Sequence, residues 1–93
     1  YNAPATGEKY REIARAMGVQ GVDGMSQDED RKAAIDAVRQ LSKDVGIPQD
    51  LKGIVREEDL DFLAQSAMDD ACRPGNPKDP TKEDIIALYR SLL

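Results

Sequence analysis

Cys72 is the single thiol of a 93-residue chain that contains no histidine, and Arg73 follows it directly. A cysteine becomes a nucleophile when a neighbouring base or a positive field favours its thiolate. With no His to serve as base, and Arg73 alone insufficient, Cys72 is expected to be a small buried packing residue or, if functional, the wall of a pocket. The carboxylates form three groups: Asp28 to Asp30, Glu57 to Asp61 and Asp69 with Asp70. None has the alternating acids, central Gly and terminal Glu of a calcium loop. The first two groups suit helix starts, where acids complement the helix dipole. Asp69 and Asp70 fall at a helix end, where negative charge is unfavourable, so a hydrogen bond holding the following loop is expected of them. Gly18, Gly21 and Gly24 invite a phosphate-loop reading, yet their spacing fits neither dinucleotide nor P-loop patterns and no strand precedes them.

The elements that must position these residues read as helical. Apolar residues recur at helical spacing and β-branched residues are too scattered for strands, which predicts an all-α helical bundle of about four main helices. The first is expected from Gly7 or Glu8 to Met17, with Thr6 as N-cap, a face of Tyr10, Ile13, Ala14 and Met17, and Gly18 as its stop. The second opens on a capping-box pair, Ser26 and Glu29, carries the stripe Ala34, Val38, Leu41 and Val45, and ends at Gly46 and Pro48. Leu51 and Ile54 are expected to anchor a short turn against the core. A third helix is predicted over Glu57 to Ala71, with Leu60, Leu63, Ala64, Ala67 and Met68 inward. Pro74, Pro77 and Pro80 then dictate an irregular connector. Thr81 and Asp84 form a capping box for a final, mostly buried helix lined by Ile85, Leu88 and Leu92 and widened by Ile86, Tyr89 and Leu93. Tyr10 and Tyr89 are packing residues on this reading, while Lys9, Arg11, Lys32 and Arg39 belong to solvated faces.

Composition narrows the partners. Thirteen Lys and Arg against 18 Asp and Glu give a formal charge of -5, the opposite of the basic footprint that nucleic acid or anionic lipid selects. Neither nucleic acid nor membrane is expected as a partner. One Cys forms no internal disulfide, and no apolar run approaches the roughly 20 residues of a membrane helix, so a reducing, cytoplasmic setting is expected. Ninety-three residues suit one compact domain, but one this small buries a modest share of its surface, so a large partner surface is expected. The opening Tyr1 and Asn2, without an initiator Met, point to the tail of a larger protein.

Several strings together resemble the carboxyl-terminal helical part of the iron-containing, group III alcohol dehydrogenases, most closely their lactaldehyde-reducing branch. Gly7 to Gly18, GEKYREIARAMG, resembles the first helix of that tail, and Asp44 to Pro48, DVGIP, the exit of its second. Tyr1 and Asn2 look like the end of a Leu-Pro-containing segment that follows a metal-binding His. Arg56 to Asp59 with Leu63 and Ala64 resembles the next helix start. Asp70, Ala71 and Cys72 with Asn76 and Pro77 resemble the family's late loop, and Thr81, Glu83, Asp84 and Ile85 the opening of its last helix. The order and spacing of these strings carry the resemblance, which covers residues 1–93.

The resemblance implies an amino-terminal nucleotide-binding domain, a carboxyl-terminal all-helical domain of the dehydroquinate synthase-like fold, and catalysis in the cleft between them. Divalent iron and NAD belong to such an enzyme, the iron held by one Asp and three His that would lie before Tyr1. No residue of this chain is then catalytic, cofactor-binding or a metal ligand. Cys72 becomes a substrate-pocket wall residue and Asn76 a loop-shaping one. The implied partners are the missing amino-terminal part of the same enzyme, a small aldehyde or alcohol substrate, and further subunits of a homo-oligomer. LKGIVR, from Leu51 to Arg56, is one residue shorter than the family's usual connector, and Arg73 and Pro74 replace smaller residues. The reading from another class is an independent helical interaction module whose apolar faces dock a partner; it would fold and bind alone.

Overall fold

The computed structural model describes every residue from Tyr1 to Leu93. Its α-helices are α1 (Lys9–Ala16), α2 (Gln27–Asp44), α3 (Leu60–Met68) and α4 (Lys82–Arg90), with single 3-10 turns at Ala3–Ala5, Val22–Gly24, Glu57–Asp59 and Arg73–Gly75. There is no strand, as the helical spacing predicted. The chain divides into two compact units, Tyr1–Ile47 and Pro48–Leu93. Each is built on one helix pair, α1 with α2 and α3 with α4.

In the first unit, Ala14 of α1, Val22 of the following turn and Ala34 of α2 form the buried cluster, flanked by Tyr10 and Val19. Alanines at the crossing let the two helix backbones approach closely. Both helices end in the same way. Val19 N–H donates to Ala14 O (3.0 Å) and Gly18 N–H to Arg15 O (3.1 Å). Ile47 N–H donates to Ser42 O (2.8 Å) and Gly46 N–H to Lys43 O (3.1 Å). This is the double hydrogen bond of a Schellman motif, and it requires a left-handed residue. Gly18 (φ +85°) and Gly46 (φ +79°) supply it.

Thr6 is not the N-cap of α1. Its hydroxyl donates to Ala3 O at 2.8 Å, closing the Ala3–Ala5 turn, and Glu8 occupies the cap position. Ser26 does cap α2, accepting from Glu29 N–H at 3.2 Å, and its hydroxyl donates to the Glu29 carboxylate at 3.2 Å. The stripe expected to be buried along α2 is buried at Ala34 alone, while Val38, Leu41 and Val45 are exposed. The reason is length, because α1 has eight residues and α2 eighteen.

In the second unit, Leu60 and Ala64 of α3 and Ile85 of α4 are the buried residues. Thr81 and Asp84 form the expected reciprocal capping box, at 3.1 and 3.0 Å. The final helix is not mostly buried: Ile85 alone is buried, while Leu88 and Leu92 are exposed. α3 starts from a 3-10 turn and stops at Met68 rather than Ala71, because the chain leaves the helix at Asp69 and Asp70. Leu51 does anchor its turn, its N–H donating to Leu92 O at 2.9 Å, but Ile54 is exposed. No helix is long and apolar enough to cross a membrane.

Candidate functional site

The loop between α3 and α4 places the residues that the sequence singled out. Cys72 and Asn76 flank the single 3-10 turn Arg73–Gly75, Cys72 at its start and Asn76 at its end. Pro74 fits inside it because the first residues of a turn have no use for a donating N–H. The expectation that Asp70 holds this loop is met: its Oδ1 accepts the Cys72 N–H at 2.7 Å. Asp69, one residue earlier, accepts from Gln65 Nε2 at 3.0 Å and so is tied back to its own helix. Two acids at an unfavourable helix end thus each have a local hydrogen bond to hold them.

At the far side of the loop, Asn76 Nδ2 donates to Lys78 O at 2.6 Å. Cys72 is exposed. That corrects the expectation of a buried packing residue, since Cys72 lies past the end of α3, in the tight turn from Asp70 to Arg73.

Arg73, read from the sequence only as a charge insufficient to activate Cys72, is the clamp of this loop. Its Nε donates to Met68 O at 3.0 Å, satisfying a carbonyl at the C-terminal end of α3, and its Nη1 reaches Asp79 at 2.7 Å. A cation at a helix C-terminus also complements the dipole. The order of the residues gave no signal for this role, because the partners of Arg73 are the Met68 carbonyl behind it and Asp79 ahead.

A second feature escaped the sequence reading. Asp30 is 2% exposed, and its Oδ2 accepts from Arg11 Nε at 2.6 Å. Arg11 also donates from Nη2 to Met25 O at 2.9 Å, and its guanidinium is held more basic than usual by the Asp30 hydrogen bond. Neither the dipole reading of Asp30 nor the solvated reading of Arg11 is sufficient. Asp30 lies four residues before Ala34 and eight before Val38, on the apolar stripe of α2, and that register was the available clue. Beside it, Arg31 and Gln27 both donate to Gly7 O. The buried Asp30 Oδ1 and Arg31 Nε have no hydrogen-bond partner.

Chemically, these two arrangements are supports. No group of three or more His, Cys, Asp or Glu side chains is placed to hold a metal ion. These residues by themselves supply no donor set for iron.

Residues 1–93 match the model of the Fe-containing alcohol dehydrogenase family, C-terminal, and the chain belongs to that family. It is 56% identical over 92 residues to lactaldehyde reductase from Escherichia coli K12, which covers 98% of this chain and 24% of that protein. It is 36% identical over 91 residues to 1,3-propanediol dehydrogenase from Klebsiella pneumoniae, covering 97% of this chain and 23% of that protein. An alcohol dehydrogenase from Oenococcus oeni superposes with a TM-score of 0.90 at 39% identity, over 100% of this chain and 24% of the other. The chain thus spans about a quarter of the length of these relatives.

Proposed function

We propose that residues 1–93 are the carboxyl-terminal portion of the helical domain of a lactaldehyde reductase, an NAD-linked alcohol dehydrogenase that interconverts lactaldehyde and 1,2-propanediol in the cytoplasm. On this reading the nucleotide-binding domain, divalent iron and NAD belong to the rest of the polypeptide, which works as a homo-oligomer. The segment itself is a wall of the substrate cleft. Its loop from Asp70 to Asn76 faces the small aldehyde, with Cys72 on the wall and Asn76 fixing the loop's exit. A wall of this kind orients the substrate and excludes water, and the orienting part of such an effect amounts to about 7 kcal/mol or more in well-aligned reactions.

The observation that carries the reading is the 56% identity to the E. coli lactaldehyde reductase along nearly the whole chain, against 36% to the propanediol dehydrogenase. The clamped loop supports it structurally, because a substrate wall must hold its shape and Asp70, Arg73 and Asn76 each fix one side of the turn. The test is NADH oxidation by the full-length enzyme with lactaldehyde, run anaerobically with and without added ferrous iron. Metal-dependent turnover is expected. Silence with lactaldehyde and with simple aldehydes overturns the substrate assignment, and silence with NADPH as well moves the weight to a non-catalytic helical module. The isolated 93-residue segment is expected to turn over no NADH and retain no iron; stoichiometric iron on it sinks the division of labour.

A further inference from the structure

The hydrogen bonds of the loop between α3 and α4 are of two kinds. Asp70 Oδ1 accepts the Cys72 N–H at 2.7 Å, Asn76 Nδ2 donates to Lys78 O at 2.6 Å, and the Gly75 N–H closes on Cys72 O at 3.0 Å. Each joins near neighbours and fixes the shape of the turn. Arg73 reaches beyond it. Its Nε donates back to the carbonyl of Met68, the last residue of α3, at 3.0 Å, and its Nη1 forward to Asp79, two residues before the Thr81 cap of α4, at 2.7 Å. These bonds fix where the turn stands between the two helices. Both leave one planar guanidinium in set directions, so neither shifts without disturbing the other. Pro74, Pro77 and Pro80 restrict the backbone along the connector. A chain so stiffened moves as a body, and the Arg73 bridge holds that body in place.

Resting on the reading above, we propose that Arg73, through Asp79, is a positioning residue that sets the chain length of the aldehyde the enzyme accepts. It touches no reacting atom. A wall rejects an overlong chain only when it does not yield, and the turn that carries Cys72 is kept from yielding by the two bonds of Arg73. The substrate class that follows is the short 2-hydroxyaldehyde: lactaldehyde fits, and its longer homologues meet the turn. The side chains of Arg73 and Asp79 are 29% and 82% exposed, and a surface pair of this kind adds little to stability. Its loss therefore falls on the position of the wall and not on the fold.

The experiment compares lactaldehyde with 2-hydroxypentanal, two carbons longer, as substrates of the full-length enzyme, its Arg73→Met and Asp79→Ala variants and the double variant. A methylene at an apolar wall is worth about tenfold or more in discrimination, so either single variant is expected to raise kcat/KM for the longer aldehyde relative to lactaldehyde about tenfold. The gain should appear in KM, because a contact remote from the carbonyl is made alike in the ground and transition states. The double variant should gain no more than the larger of the singles, as two residues acting as one pair do. A ratio unmoved in the single variants, or a fall in kcat shared equally by both aldehydes, is what a merely structural clamp gives and overturns the proposal. Should Arg73→Met not fold, Asp79→Ala, at an exposed residue, decides alone. Wild-type turnover of lactaldehyde with unmoved ratios removes this inference and leaves the substrate reading standing. A wild type that reduces only aldehydes without the hydroxyl removes lactaldehyde from that reading, and the same ratio, taken between pentanal and propanal, still decides the role of Arg73. Silence with every aldehyde removes both.

Discussion

Arg11 of α1 reaches across to a carboxylate of α2 that water scarcely touches: the Nε to Oδ2 distance to Asp30 is 2.6 Å, with the side chains 28% and 2% exposed. The pair is asymmetric. Removing Arg11 strands a buried charge, whereas removing Asp30 leaves an arginine that water can reach. Asp30→Ala is therefore expected to destabilise the protein by about 1.5–3 kcal/mol, the range for losing a hydrogen bond to a charged group. Arg11→Met should destabilise it more than Asp30→Ala does. Urea midpoints of the two variants in the intact protein check the order; Arg11→Met as the milder change would show that Asp30 is hydrated after all.

The two Schellman ends give a prediction that rests on backbone alone. Around Gly18 and Gly46 an added Cβ would meet nothing within 4 Å. Any loss on substitution then comes from the left-handed φ, which costs a non-glycine residue about 1–2 kcal/mol. Gly18→Ala and Gly46→Ala are each expected to lower thermal stability by that amount, while Gly24→Ala, with open space and no left-handed φ, should stay within about 0.5 kcal/mol as an ordinary surface change. Equal effects at all three positions would assign the cost to something other than φ.

Helix number, the stops at Gly18 and Gly46 and the Thr81–Asp84 box were legible because each depends on residues within one turn of one another. Burial was less so. The stripe of α2 reads as core at Val38, Leu41 and Val45, yet whether a stripe is covered depends on the length of the helix packed against it, and α1 runs out after Ala16. Asp30 was read through its helix start alone, since its cation lies 19 residues away in α1. At the loop, Asp70 was legible from an acid misplaced against the dipole, and Arg73 was not, because its partners are a carbonyl behind it and Asp79 ahead.

On the proposed reading, Cys72 belongs to the wall and Asp70 to its support. On the proposed reading, Cys72→Leu adds bulk at the substrate face of an exposed residue and should leave the urea midpoint unchanged. Its effect falls on the reaction: kcat/KM for lactaldehyde in the full-length enzyme is expected to drop about tenfold or more, the scale of a mismatched apolar contact. Asp70→Ala removes the hydrogen bond to the Cys72 N–H at 2.7 Å and loosens the loop, so it should raise KM and also increase amide exchange from Cys72 to Asn76. A Cys72→Leu enzyme with unaltered kcat/KM would place the loop away from the substrate.

Glu57 and Arg90 tie the start of α3 to the end of α4, Arg90 Nε donating to the Glu57 carboxylate at 2.9 Å. That hydrogen bond, with the nearby positive charge, holds the Glu57 carboxyl below its ordinary value of 4.5 despite some opposing desolvation. A carboxylate whose folded pKa is depressed contributes stability that is fully present above its unfolded pKa and is lost as pH falls through the folded one. Wild type should therefore exceed Glu57→Gln in urea midpoint by a constant margin from neutral pH down to about 4.5, with the margin shrinking below it. Both side chains are more than half exposed, so the margin is small and salt should screen it. Repeating the series at about 1 M salt, where the Debye length falls to roughly 3 Å, should erase most of the difference. A margin that widened on acidification would mean that the pair is not what joins these two helix ends.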